Sequence, residues 1–168
     1  MPSVASGWEA SESIRVEASP EDVWAIVADI EGHSALAGSG EVLAIRLSGP
    51  LAPGTTFEGD IKVDEFGSFV SRCVVEDVTE PTRLAWVSYP PLDDDEIDDH
   101  QIEVHWSFDL TPADGGTEVE HRFFVPPPKL GAEELAEFME RTDRITTVRA
   151  GMRQTLANLK RAAEGVSR

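Results

Sequence analysis

Hydrophobic and polar residues alternate over residues 11–18, which is the period of a half-buried strand. Ser19 then supplies an N-cap hydroxyl and Pro20 a preset φ angle for a first helical turn. Apolar residues follow at three- and four-residue spacing: Val23, Trp24, Val27 and Ile30. We therefore predict a strand followed by a short amphipathic helix that Gly32 ends.

From residue 41 onward the pattern changes to short alternating segments separated by glycine and proline turns. The predicted strands cover residues 41–47, 56–63, 69–78, 84–89, 102–110 and 117–125. The sequence Asp114-Gly115 is typical of a two-residue hairpin turn. With that turn, Phe108 pairs with His121 and Trp106 with Phe123. The pattern predicts an antiparallel meander.

Residues 132–164 contain no proline and are rich in good helix formers. Six apolar residues recur at helical spacing: Ile145, Val148, Met152, Leu156, Leu159 and Ala163. Phe138 joins this stripe if the helix is continuous back through Arg141, which the pattern leaves open. Gly151 costs about 1 kcal/mol relative to alanine, which is too little to break a long helix by itself.

The length of 168 residues predicts one domain, which we place at residues 10–164 between tails at 1–9 and 165–168. Fourteen basic against 32 acidic residues give a net charge of −18, which disfavours nucleic acid and anionic membranes as partners. The longest apolar run, residues 23–28, is far shorter than the ~20 residues of a membrane span. The first residues lack the features of a signal peptide. We expect a cytoplasmic protein without membrane insertion.

The single cysteine, Cys73, excludes an internal disulfide and a multi-thiolate metal site, and we interpret it as a small hydrophobic strand residue. The spacing of His100 and His105 places them on opposite faces of a strand. The acidic segment 93–99 lacks the glycine and terminal carboxylate of an EF-hand loop, so we expect a solvated loop. We predict neither a metal site nor a cofactor.

Four motifs give the chain a resemblance to a known family: residues 14–24, residues 47–50 with 54–55, residues 81–86 and residues 115–117. Together with the order of elements, they resemble the START-like (SRPBCC) superfamily and its polyketide cyclase/dehydrase and lipid-transport group. The resemblance covers about residues 10–164. It implies an α+β helix-grip fold, in which a curved antiparallel sheet of about seven strands wraps a long C-terminal helix.

The resemblance also implies an apolar cavity between sheet and helix, although the aromatic residues alone would indicate an ordinary core. The expected ligand-binding residues are Phe57, Ile61, Phe69, Trp86, Trp106, Phe108, His121, Phe123, Ile145, Arg149 and Met152. His121 lies among apolar neighbours on its face of the strand, so it is either a polar handle for the ligand or a satisfied buried imidazole. Arg149, near the edge of the helix stripe, is expected to reach the same space.

Three functions are consistent with the sequence. The first is a carrier or sensor that binds a lipid-like or polyketide-like apolar molecule without a cofactor, as a monomer or homodimer. The second is a polyketide cyclase or dehydratase in which His121 acts as the base. The third is an interaction module that holds a protein partner through its groove or its acidic loop.

Overall fold

Seven antiparallel strands form one sheet in the computed structural model, which describes residues 7–64, 67–90, 102–128 and 132–166. The strands are β1 (Trp8–Val16), β2 (Val42–Leu47), β3 (Thr56–Val63), β4 (Gly67–Thr79), β5 (Arg83–Tyr89), β6 (Val104–Ala113) and β7 (Gly116–Val125). Their order across the sheet is β1-β7-β6-β5-β4-β3-β2. The predicted meander is therefore confirmed, and β1 adds an edge strand to it by pairing with β7.

The position of β1 corrects the prediction, because this strand begins at Trp8 instead of Ser11 and ends at Val16 instead of Ala18. Trp8 is buried and pairs with the C-terminal end of β7, so the sheet reaches into the segment assigned to the N-terminal tail. At the other end, β1 stops at Val16, which pairs with Thr117, and the next amide, Glu17 N–H, donates to the Glu164 carboxylate at 2.9 Å. The ends of the remaining strands lie within three residues of those predicted.

The first helix, α1 (Pro20–Val27), begins as predicted but is shorter. The Ser19 hydroxyl accepts a hydrogen bond from the Asp22 amide at 3.2 Å. The chain leaves the α-helix before Gly32 because Asp29 adopts a non-helical conformation and caps a separate 3-10 turn, Ile30–Gly32. A short helix, α2 (His33–Leu36), follows directly.

The C-terminal region forms two helices, α3 (Ala132–Arg141) and α4 (Arg144–Val166). At the break, Asp143 has φ +48°, and its carboxylate accepts a 2.9 Å hydrogen bond from the Thr146 hydroxyl. Gly151 lies inside an uninterrupted α4, as expected. α4 packs against β1 and α1 and completes the helix-grip architecture that the resemblance implies. No described helix is long and apolar enough to cross a bilayer.

Candidate ligand-binding cavity

A cavity of about 950 Å³ lies between the sheet and the helices. Its volume is near the upper end of the range for small-molecule sites, about 300–1,000 Å³. Most of the predicted ligand-binding residues line it: Phe57, Ile61, Phe69, Trp86, Trp106, Phe108, His121, Phe123 and Met152. The structure therefore brings these side chains from five strands and α4 to one space.

Two predicted residues, Ile145 and Arg149, do not line the cavity. Ile145 packs against the buried cluster that contains Trp8 and Met139. The Arg149 guanidinium instead donates to the Glu12 carboxylate at 2.7 Å, which the adjacent Arg153 also contacts at 2.7 Å. The expectation that Arg149 reaches the cavity is wrong, because the ion pair with Glu12 holds its guanidinium beside β1.

The strand register brings the aromatic side chains together. Trp86 pairs with Trp106, and Trp106 pairs with Phe123, so these three residues form one row across β5, β6 and β7. The Trp106 and Phe123 ring centroids are 5.0 Å apart in an edge-to-face arrangement. The next row pairs Phe108 with His121, as the Asp114-Gly115 turn predicts.

His121 is buried, and its ring stacks on Phe108 with centroids 4.0 Å apart and planes at 6°. Nδ1 donates a 2.9 Å hydrogen bond to the Ser107 carbonyl oxygen. Burial lowers the pKa of His121 to about 4, although this carbonyl partly opposes the shift. The imidazole is therefore neutral near pH 7, and its Nε2 carries a lone pair. One nitrogen is satisfied by the protein, and the other remains available for a ligand.

A second buried histidine, His33, also lines the cavity and was not among the predicted site residues. Its Nε2 donates a 2.7 Å hydrogen bond to the Val27 carbonyl oxygen, and burial lowers its pKa. The ring lies 5.5 Å from Trp86 and 5.9 Å from Phe108, measured between centroids. Its position six residues after Val27, the last residue of α1, could have indicated this contact. The last carbonyl groups of a helix need hydrogen-bond donors from outside the helix.

Three small polar residues form a strip on the cavity wall where β4 meets β5: Ser71, Cys73 and Ser88. The two serine hydroxyls are hydrogen-bonded to each other. Burial raises the pKa of the Cys73 thiol to about 11, and hydrogen bonds from both serines oppose this shift only in part. The thiol therefore stays protonated near pH 7 and is not a reactive nucleophile, in line with the interpretation of Cys73 as a small hydrophobic strand residue.

Four charged residues also line the cavity: Glu41, Glu134, Arg141 and Arg144. Arg144 forms a two-pronged ion pair with Glu41, with both nitrogen–oxygen distances at 2.8 Å. This pair joins the segment before β2 to the first turn of α4. No sequence pattern indicates it, because 103 positions separate the two residues.

The described residues contain no group of three or more His, Cys, Asp or Glu side chains placed to hold a metal ion. The acidic segment 93–99 and His100, for which we predict a solvated loop and no metal site, lie outside the described residues. The site in the described part of the chain is thus an apolar cavity with a few polar groups at fixed positions.

Solved structures with the same fold have little sequence identity to this chain. The di-domain ARO/CYC StfQ from the steffimycin biosynthetic pathway gives a TM-score of 0.69 at 10% identity, over 95% of this chain and 51% of StfQ. TTHA0849 from Thermus thermophilus gives 0.68 at 15% identity, over 96% and 100% of the two chains. Ara h 8.0201 gives 0.55 at 15% identity, over 95% and 96%. The chain spans about half the length of StfQ.

These likenesses establish the helix-grip, Bet v 1-like fold. No curated protein matches the sequence. The sequence pattern of one family, described as polyketide cyclase / dehydrase and lipid transport, matches residues 7–164, and the chain therefore belongs to that family.

Proposed function

We propose that this protein binds one apolar, lipid-like or polyketide-like molecule in the cavity and acts as its carrier or sensor. The observation that carries the proposal is the cavity itself, about 950 Å³ with a mainly aromatic and aliphatic wall. Burying apolar ligand surface there is worth about 25 cal/mol per Å² before the costs of association. Its polar groups occupy a minor part of the wall, so they orient a ligand and leave most of its surface in apolar contact.

A cyclase or dehydratase is the second candidate, and the free Nε2 of His121 favours it. A cavity wall of this kind orients a poly-β-keto chain for ring closure, and a neutral imidazole accepts a proton. However, general-base catalysis is most effective when the pKa of the base is close to the working pH. With a pKa of about 4, His121 is a weak base. The low pKa of His121 therefore favours a binding function over a catalytic one.

Dye titration tests the binding function. A neutral apolar dye such as Nile red should bind with one-to-one stoichiometry and quench the fluorescence of Trp86 and Trp106, both on the wall. Gly59 lies between Phe57 and Ile61 on the cavity face of β3, and a Cβ there meets its nearest atom, Ile61 Cδ1, at 3.5 Å. Gly59→Leu should therefore fill part of the cavity and weaken dye binding about tenfold or more.

Lys62→Leu is the matched control, because it adds the same side chain to an exposed position of the same strand. It should leave the affinity unchanged. Equal affinities of the parent, Gly59→Leu and Lys62→Leu would show that the dye binds elsewhere and would overturn the proposal.

Two substitutions of His121 test the catalytic alternative. His121→Gln keeps hydrogen-bonding capacity but loses the titratable base, whereas His121→Leu loses both. A catalytic His121 requires that the glutamine variant bind a linear poly-β-ketone yet fail to convert it to a cyclised, ultraviolet-absorbing product. A carrier gives no conversion with the parent either, although the compound binds.

A further inference from the structure

His33 and His121 share an unusual feature, because each uses only one ring nitrogen within the protein. His33 Nε2 donates to the Val27 carbonyl and His121 Nδ1 donates to the Ser107 carbonyl. Each donation fixes the tautomer, so the second nitrogen, His33 Nδ1 or His121 Nε2, is a bare acceptor. Neither has a hydrogen-bond partner among the described residues, and neither is sealed inside the packed core.

Both acceptors border the same part of the cavity. His121 stacks on the Phe108 ring at 4.0 Å, and His33 meets that ring edge-on at 5.9 Å. Both histidines line the cavity, one from β7 and one from α2. The surrounding rings belong to Phe108, Trp86 and Trp106. Apart from the two indole N–H groups, these rings carry no hydrogen-bond donor. The wall around Phe108 therefore presents two acceptors to the bound molecule.

We propose that this pair makes the cavity selective for apolar molecules that carry a hydroxyl group, phenolic or alcoholic, on the part that lies against Phe108. This inference rests on the proposed binding function and adds a ligand class to it. A hydroxyl donates to an imidazole lone pair, whereas an ether, ketone or ester oxygen has no proton to donate. A carboxylate presents its own lone pairs to the two acceptors and is disfavoured.

The two imidazoles keep this acceptor character near pH 7, because burial lowers the pKa of each and both stay neutral. A site whose buried polar groups are left unpaired by the wrong ligand rejects that ligand more strongly than an apolar pocket does. Removal of the hydroxyl is therefore expected to lower the affinity more than a change of similar size elsewhere on the ligand.

The test compares 2-naphthol with its methyl ether, 2-methoxynaphthalene, by tryptophan quenching near pH 7, where the phenol is not ionised. The parent protein should bind the naphthol about tenfold more tightly than the ether. His33→Leu and His121→Leu should each reduce this preference while keeping affinity for the ether. Ser68→Ala, which removes a hydroxyl from an exposed position of β4 outside the cavity, should keep the preference. Ser71→Ala tests whether the serine strip of the wall produces the preference instead.

The comparison on the parent needs no variant, so it remains decisive if a histidine variant fails to fold. Equal affinities for the naphthol and the ether would overturn the selectivity but leave the binding function standing. If the preference for the naphthol survives both histidine substitutions and disappears in Ser71→Ala, the serine strip produces it. That result would also overturn the inference. Failure of both compounds and of Nile red to bind would instead overturn the proposed function.

Discussion

The imidazole of His121 couples the stability of the folded chain to pH. Its pKa is about 4 in the folded protein, against an ordinary value of 6.5, because burial disfavours the charged form. Between these values the unfolded chain binds more protons than the folded one, so the free energy of unfolding falls as pH falls. The stabilising effect is complete above about pH 6.5 and is lost progressively toward pH 4.

We therefore predict that His121→Gln loses less stability than the parent on acidification. From about pH 7.5 to pH 5 this histidine alone removes about 2 kcal/mol from the free energy of unfolding. Urea unfolding at both pH values measures the difference for each protein, so a lower absolute stability of the variant does not matter. If the parent and His121→Gln show the same loss, the buried neutral imidazole is refuted.

The sequence predicted part of the site at the level of single residues. His121 was found because hairpin register places it opposite Phe108 on an apolar face, and strand periodicity is a local property. Arg149 was misplaced, since its position on a helix stripe cannot reveal that Glu12 attracts it. His33 was missed because the four-residue helix α2 is too short to show a periodic pattern of apolar residues.

The N-terminus of α1 depends on one hydroxyl. Ser19 accepts from the Asp22 amide, which otherwise has no partner in the first turn. Ser19→Ala should therefore cost about 1 kcal/mol and lower the melting temperature by about 2–4 °C. Ser19→Asn should keep the melting temperature of the parent, because asparagine caps as well as serine and adds no charge beside Glu21 and Asp22.

Thermal unfolding monitored by circular dichroism measures these effects. Ser68→Ala, at an exposed position of β4, serves as the control and should change stability by less than about 0.5 kcal/mol. A Ser19→Ala variant that melts with the parent would show that water satisfies the Asp22 amide and that the hydroxyl is dispensable.

Predictions at the level of elements succeeded where local chemistry sets a boundary. The Ser19-Pro20 start of α1 and the Asp114-Gly115 turn were correct, and Asp114 and Gly115 both have positive φ, as such turns require. The break between α3 and α4 was left open because neither proline nor glycine marks it. Instead, Asp143 takes a left-handed conformation there, which few sequence patterns reveal.

At the scale of the whole molecule, the periodicity of the strands predicted which face of each is apolar but not whether that face is filled. A packed core and a cavity of about 950 Å³ both require the same alternating residues. The difference depends on the curvature of the sheet and the distance at which α4 crosses it, which are global properties. Only the family resemblance supplied that expectation.

The net charge of −18 gives the whole molecule a negative field that the cavity does not cancel. The charged residues of its described wall are balanced, two acidic and two basic: Glu41, Glu134, Arg141 and Arg144. The potential met by an incoming ligand is therefore set by the rest of the surface, and anionic ligands are repelled. Salt weakens this repulsion, since the Debye length falls from about 30 Å at 0.01 M to about 10 Å at 0.1 M.

We predict that the affinity for the anionic dye anilinonaphthalene sulfonate rises severalfold as sodium chloride increases from about 0.01 M to about 0.1 M. The affinity for uncharged Nile red should stay nearly constant, because no long-range charge interaction contributes to its binding. Fluorescence titrations of both dyes at both salt concentrations provide the measurement, with the neutral dye as the control for nonspecific salt effects. A fall in the affinity for the anionic dye would mean that Arg141 and Arg144 attract it locally and outweigh the field of the remaining surface.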